Sequence, residues 1–579
     1  MGITNTTKHL KGLPAAPGLV MGPVYLWQDI DLVLPEPYTC TDPTAAWLKI
    51  QTAIEAAKQE IREMREIVLK EAGKSEAAIF DAHLMMVDDS SLHEMVQGFL
   101  NEGTNPEAAW QTAVESFAKM LADIPDPTLS ARAADLRDVG KRVLAQLLGM
   151  PLLENHLCEP SVIVARDLAP SQTATMDHRL VLAFCTAEGG PTSHTAILAK
   201  ALGIPAIVAI GQNVLSIPTG ACVLVDAFTG EVMVNPDEKM QFEFETRQHH
   251  THAQAELDLQ NTMAPAITRD GIQAEVFANI GSAQDAENAV SFGAEGVGLF
   301  RTEFLYLNQQ ALPNLTQQIE IYRKVIDALQ GRPLVVRTLD IGGDKRVDYL
   351  GITQEPNPFL GWRGIRMINE KPDLLRDQFS ALLLAARGTD LRIMIPMVSD
   401  IGEVIQARSL LEEATQAVRH KNPDFDIKLQ FGIMVEVPSA ALMVEHIAPL
   451  VDFFSIGTND LTQYTLAVDR MNARVARLAS PFHPAVLRLV ERTVRIAHQE
   501  GKWVGMCGEL AGEPQAIPFL LGIGLDEYSM SAAAIPAVKR IIRRLSVQEC
   551  KPIAEQVLHM ATAQDVQKYL ESELSRMTS

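Results

Sequence analysis

The sequence is poor in what several protein classes require. It has six cysteines (Cys40, Cys158, Cys185, Cys222, Cys507 and Cys550) and no Cys-x-x-Cys pair, which excludes a zinc ribbon or a disulfide-stapled scaffold. No apolar run reaches the roughly 18 residues a membrane-spanning helix needs, so no membrane insertion is expected. Basic residues are in deficit: 50 Lys and Arg against 72 Asp and Glu leave a formal charge of −22. Nucleic-acid backbones require the opposite balance, so a general nucleic-acid binder is excluded. The segment MGITNTTKHLKGLP lacks the apolar stretch of a secretion signal, and the protein is expected in the cytoplasm. No glycine-rich nucleotide loop is found. The hydrophobic fraction of 47% excludes wholesale disorder.

The 579 residues suggest about four domain-sized units at roughly 150 residues each. Residues 10–30 read as a short β segment broken by Gly12, Pro14, Pro17, Gly18 and Gly22. From about 43 to 150 apolar residues recur at helical spacing, as in Trp47, Ile50, Ile54, Ala57 and Ile61. Strand-like runs return over 160–235, interrupted by one helix at about 193–201. Residues 237–262 are polar and helix-like and read as a linker; His249, His250 and His252 within it read as a solvated face rather than a metal site. Beyond 265, eight apolar strand candidates alternate with helices: 274–278, 296–300, 334–337, 391–395, 432–435, 453–456, 503–506 and 526–529. Continuous apolar strands separated by helices imply a parallel sheet. Eight such units imply a (β/α)8 barrel, with an open doubly wound sheet as the fallback.

A barrel carries its chemistry just after its strands, and the polar residues of this chain gather there. Arg301 follows the second strand. Arg337 ends the third, with Asp340 and Lys345 in its loop. Glu436 follows the fifth, Asn459 and Asp460 the sixth, with Arg470 ten residues on, and Cys507 and Glu509 the seventh. Together with Arg363, these cations make a mouth suited to a small polyanion, because guanidinium forks match phosphate and carboxylate. Glu436 and Asp460 are hard oxygen donors of the kind Mg²⁺ accepts, or else partners of those arginines. By position alone Cys507 is either an inert core thiol or a general acid. Elsewhere, Gly189-Gly190-Pro191-Thr192-Ser193-His194-Thr195 runs from a turn into a helix. Thr192 or Ser193 can cap that helix, and a helix N-terminus favours a phosphate carried on His194.

These segments resemble known motifs. Gly189-Gly190-x-Thr192-Ser193-His194-Thr195 is similar to the phosphohistidine motif of phosphoenolpyruvate (PEP)-utilising enzymes. The run from Ile456 to Arg470 and Gly505-Met506-Cys507-Gly508-Glu509 resemble their PEP-binding barrel. The resemblance spans essentially the whole chain and is greatest to the branch that starts bacterial sugar phosphotransferase systems. It implies a multidomain α/β protein: a swivelling phosphohistidine domain (1–34 and 156–236), an inserted helical subdomain (35–155), a linker helix (237–265) and a (β/α)8 barrel (266–579).

The activity implied is phosphoryl transfer from PEP to His194, giving pyruvate, then from His194 to a histidine of the carrier protein HPr. Arg301 and Arg337 would bind the phosphoryl end, with Lys345 and Arg363 nearby. Glu436 and Asp460 would hold Mg²⁺, Asn459 and Arg470 would contact the substrate's phosphate or carboxylate, and Cys507 would protonate the enolate. Residues 80–89, with His83, Leu84, Met85 and Asp88, match the family's docking helices for HPr. Asp135 and Asp138 would be structural or histidine-orienting. A homodimer through the barrel and a swivel about the linker are also implied. Pro191 stands where some relatives carry arginine, so this chain has no guanidinium at that position.

A dikinase or PEP synthase would need an ATP-grasp domain for which the length leaves no room. The same holds for fused GAF, HPr-like or IIA-like segments, so a stand-alone sugar-system enzyme is expected. A regulatory scaffold would have lost a key residue, and a Mg²⁺-dependent lyase barrel would leave His194 unexplained.

Overall fold

The computed structural model describes residues 7–27, 32–36, 38–71, 74–123, 127–150, 157–174, 176–190, 193–307, 311–343, 348–351, 355–386, 388–422, 427–470, 472 and 475–578. The chain divides into two compact units, Met1–Thr251 and His252–Ser579.

The first unit joins a mixed sheet to a helical bundle. In the sheet, Leu19–Leu26 lies between Cys222–Asp226, antiparallel to it, and Ser161–Ala165, parallel to it. Val181–Thr186 and Ala206–Val208 continue the parallel side. Ser161–Ala165 is buried at every position, which is why the sequence there is a continuous apolar run rather than an alternating one. The bundle comprises Pro43–Glu71, Lys74–Val87, Ser90–Asn101, Pro106–Ala122 and Pro127–Leu148. Asp89 and Asn105 cap two of these helices by accepting from backbone N–H groups. The bundle's own core holds Ile50, Ile54, Phe80, Leu92 and Trp110, all at most 3% exposed. The Trp110 indole donates to the Gly140 carbonyl at 2.9 Å, so its one polar atom is satisfied in the interior.

The second unit is a closed barrel. Its eight parallel strands are Gln273–Ile280, Val297–Arg301, Leu334–Arg337, Asp390–Ile395, Lys428–Val435, Phe453–Ile456, Trp503–Met506 and Glu527–Met530. Each pairs with the next, and the first pairs with both the second and the eighth. All eight expected strands are present. The second is shifted by one residue, so Arg301 ends the strand rather than following it. A register shift between Val297 and Phe300 accompanies this, and a bulge of this kind re-aims a side chain at a barrel rim. Inside the barrel, Leu299, Val335, Met394, Met434, Phe453 and Cys507 pack as a separate core. Phe453 and Trp503 stack with centroids 4.5 Å apart. Among the described residues, no helix is long and apolar enough to cross a membrane.

One surface contact gives the barrel a pH response. His498 bonds Asp526 at 2.8 Å, and that hydrogen bond raises the imidazole's pKa against partial burial. A histidine raised in the folded state stabilises at low pH, and the contribution is lost as pH rises through its folded value. The thermal midpoint is therefore expected to fall slightly between pH 6 and 8, less so in His498→Ala. Equal slopes in calorimetric scans of the two proteins would refute this.

Candidate active site

The C-terminal mouth of the barrel is built from alternating buried charges. Arg337, at the end of the third strand, is 6% exposed. It pairs with Glu303 and, at 3.2 Å, with Asp340. Burial alone would lower its pKa; the carboxylates of Glu303, Asp340 and Glu436 outweigh that and raise it. Arg363 grips Asp340 with Nε and Nη2, both at 2.8 Å, and reaches Asp460 at 3.2 and 3.3 Å. Its Nη1 also donates to the Tyr464 hydroxyl at 3.2 Å. Arg470 approaches Asp460 at 3.6 Å. Two-pronged contacts of this type fix guanidinium planes as well as charge.

Glu436 is 1% exposed. Its Oε1 accepts from the Met397 backbone N–H at 2.6 Å. Burial first, then the charges of Asp460 and Asp340, push its carboxyl up to about 8. Met397 holds φ at +59°, a backbone state that side-chain-bearing residues rarely adopt. That turn aims its N–H at the glutamate, so local strain is spent on orienting one carboxylate.

Arg301 stands recessed in the mouth although its side chain reaches solvent. Desolvation and the like charge of Arg337 lower its pKa. Among the described residues no carboxylate pairs with it, and its side chain is exposed. Asn459 Oδ1 accepts from the Glu509 backbone N–H at 3.1 Å, tying the loop after the sixth strand to the loop after the seventh. Cys507 is 4% exposed, its Sγ lies 3.8 Å from the Ile456 carbonyl, and burial pushes its thiol up to about 12.

Arg301, Arg337, Arg363, Glu436, Asn459, Asp460, Arg470 and Cys507 thus stand on or just beyond strands two, three, five, six and seven and the loop after strand three. Lys345 lies outside the described residues. Glu303, Tyr464 and Met397 belong to the same mouth and were not legible as site residues. Glu303, two residues past Arg301, carried the one available signal, a carboxylate on a strand-end loop.

In the other unit, His194 begins the helix His194–Leu202. Ser193, rather than Thr192, is the described cap, accepting from Ala196 N–H at 3.4 Å; Pro191 and Thr192 lie outside the described residues. Asp138 accepts from the Ser171 hydroxyl at 2.7 Å, and Asp135 pairs with Arg132 at 3.1 Å. Of the expected docking residues, Met85 is 76% exposed, Asp88 is exposed and paired with Lys58 at 2.8 Å, and Leu84 is half-buried. His83 is different: it is 1% exposed and faces the buried Asp135 at 3.9 Å, so it is part of the bundle's interior and not of its surface.

The fold and this mouth define a barrel enzyme of small anionic substrates joined to a separate α/β unit. Three family models match the chain: PEP-utilising enzyme, PEP-binding domain, over 255–547; PEP-utilising enzyme, N-terminal, over 11–132; and PEP-utilising enzyme, mobile domain, over 157–230. The chain is 41% identical over 577 residues to the phosphoenolpyruvate-protein phosphotransferase of Geobacillus stearothermophilus, covering 99% of this chain and 100% of that one. It is 41% identical over 562 residues to the enzyme of the same name from Staphylococcus carnosus, covering 96% and 98%. The chain belongs to the phosphoenolpyruvate-protein phosphotransferases, a branch of the PEP-utilising enzymes.

Proposed function

We propose that this protein takes the phosphoryl group of PEP onto His194, releases pyruvate, and passes the phosphoryl group to a histidine of the carrier HPr. The observation that carries this reading is the barrel mouth: guanidinium groups interleaved with four buried carboxylates, Glu303, Asp340, Glu436 and Asp460, with a protonated thiol beside them. Transfer through a loose transition state needs positioning and charge neutralisation rather than covalent help from the barrel. Arg337 and Arg363 are already fixed by carboxylates, so they meet the substrate without reorganising. Arg301 and Arg470 complete the anion site, with Asn459 beside it, and Lys345 is proposed as a further substrate contact.

Glu436 and Asp460 fit Mg²⁺ by donor chemistry. Both are hard oxygens, and the charges of Asp460 and Asp340, which add to burial in raising Glu436, are what a divalent cation would relieve. Bound there, the ion would neutralise charge on the phosphoryl and enolate oxygens. Cys507 holds its proton at neutral pH and gives it to the enolate carbon.

On the other unit, the N-terminus of the helix beginning at His194 favours the negative charge of a phosphorylated imidazole. The exposed Met85 beside Leu84 and Asp88 suits a partner with an apolar centre and a basic rim. The protein is proposed to work in the cytoplasm as a homodimer through the barrel, with the four-part division given by the sequence.

The test is mass spectrometry after mixing with PEP and Mg²⁺. One acid-labile phosphate on His194, stoichiometric pyruvate, and onward transfer to HPr are expected, and His194→Ala should abolish all phosphoprotein. Pyruvate without phosphohistidine would overturn the reading.

A further inference from the structure

The barrel interior holds a carboxyl group that the proposed mechanism does not use. Glu527, which opens the eighth strand, is 0% exposed. Neither of its carboxyl oxygens has a hydrogen-bond partner among the described residues. Leaving such a group unsatisfied costs on the order of 1–3 kcal/mol, so its presence asks for a reason. Room for it is made by glycine on the second and the seventh strands. A Cβ on Gly298 would collide with Oε1, and one on Gly505 would lie 2.6 Å from Oε2. Gly505 is opposite Glu527 in the sheet register and two residues before Cys507, hence on the same face and about 6.6 Å along the strand. Ser455, opposite Gly505 on the other side, places its hydroxyl near the Cys507 thiol, and that hydroxyl has no hydrogen-bond partner among the described residues.

Below Glu527 the route continues to solvent. Glu527 is opposite Glu275 in register. Glu275 lines a cavity of about 360 Å³ together with Met263, Pro265, Phe277 and Pro333. Its side chain is 48% exposed and lies 3.9 Å from Arg392, which stacks on Phe277 and Trp503. The Gln273–Ile280 strand begins at this end, so the cavity opens on the face of the barrel opposite the arginine mouth.

We propose that Glu527 and Glu275 form a proton relay that reloads Cys507 from solvent at the N-terminal face of the barrel. The relay rests on the reading of Cys507 as the enolate's proton donor. In that step the S–H bond breaks and a C–H bond forms at the enolate's methylene carbon, leaving a thiolate. Glu527 then gives its O–H proton to the sulfur, across the Ser455 hydroxyl or one water. The Glu527 carboxylate recovers a proton from solvent through Glu275. No oxidant or co-reactant is needed. Burial first, and Glu275 and Asp526 next, push the Glu527 carboxyl up to about 8 against the charge of Arg392. It is therefore an acid at neutral pH, and a stronger one than the thiol it serves. A supply from below leaves the mouth free to exclude water while the phosphoryl group is in transit.

The test uses the full-length protein with Mg²⁺ and pyruvate in D2O, with loss of the pyruvate methyl signal read by NMR. A separate single-turnover measurement follows phosphorylation of His194 by PEP. Glu527→Gln keeps the side chain's shape and removes the acid. Methyl exchange should fall by about a hundredfold, while single-turnover phosphorylation, which draws on the proton already on Cys507, should change far less. Glu275→Gln, on a half-exposed side chain, should lower exchange in the same direction, and it decides the matter if Glu527→Gln does not fold. Unchanged exchange, or an equal fall in both readouts, would overturn the relay. Cys507→Ser separates the two ideas. Wild-type exchange in that variant would remove the donor reading and the relay with it. Loss of exchange there, with normal exchange in Glu527→Gln, would remove the relay alone.

Discussion

Replacing Cys507 by serine should slow pyruvate formation by about 10²- to 10⁴-fold, the range lost when a positioned general acid is removed. The residue sits inside the barrel with Leu299, Val335, Met394, Met434 and Phe453. Such surroundings penalise a thiolate, and the thiol is pushed up to about 12. At neutral pH it is therefore fully protonated and has a proton to give. Because a raised acid loses its proton only as pH climbs through its own value, pyruvate formation should show no falling limb from this group between pH 6 and 9. A serine hydroxyl fills nearly the same space but parts with its proton far less readily. The expected result is near-normal PEP binding with slow appearance of pyruvate in a coupled assay. Pyruvate formed at the wild-type rate by Cys507→Ser would end the assignment.

Arg337→Met is expected to damage both stability and activity. Arg337 is the cation between Glu303 and Asp340, and both carboxylates are buried. Asp340 retains Arg363, whereas the buried Arg337–Glu303 pair is lost. Removing one partner of a buried ion pair typically costs about 3–5 kcal/mol, because the remaining charge stays desolvated. The thermal midpoint of the barrel unit should fall by several degrees. Activity at saturating PEP should fall by about 10²- to 10³-fold, the usual loss when one preorganised donor is taken from a site of developing charge. Arg337→Lys makes the test specific. It restores a charge and so part of the stability, but it lacks the planar fork, so activity should stay low. If Arg337→Lys recovers activity in proportion to its thermal midpoint, Arg337 is a structural residue and does not bind the phosphoryl group.

Much of this protein was legible from local pattern. Most barrel strands are written as short, largely apolar runs, as in Phe453–Ile456 and Trp503–Met506, because a strand buried on both faces shows little polar side. The helix beginning at His194 is announced by the serine before it, since a cap is a contact between near neighbours. The placing of Arg301, Arg337, Glu436, Asp460 and Cys507 at strand ends follows from the strands themselves and the rule that barrels react at their C-terminal face.

What the sequence could not decide depends on residues far apart in the chain. His83 sits in a segment that reads as a docking surface, yet its helix turns it inward toward Asp135, 52 positions later. Arg363 was legible as a cation near the substrate. Only closure of the barrel shows that it holds Asp340 and Asp460, 23 and 97 positions away. The left-handed backbone at Met397 has no signal in a methionine, because it is imposed by the loop that presents an N–H to Glu436. Glu527 reads as an ordinary charged residue at a strand start. Room for it is left by Gly298 on the second strand and Gly505 on the seventh, which come together around it only when the barrel closes. Local pattern therefore determined the elements and the kind of chemistry. The tertiary structure decided which charges are paired, which are strained into place, and which one is left without a partner inside the barrel, because desolvation and ion pairing act through space and not along the chain.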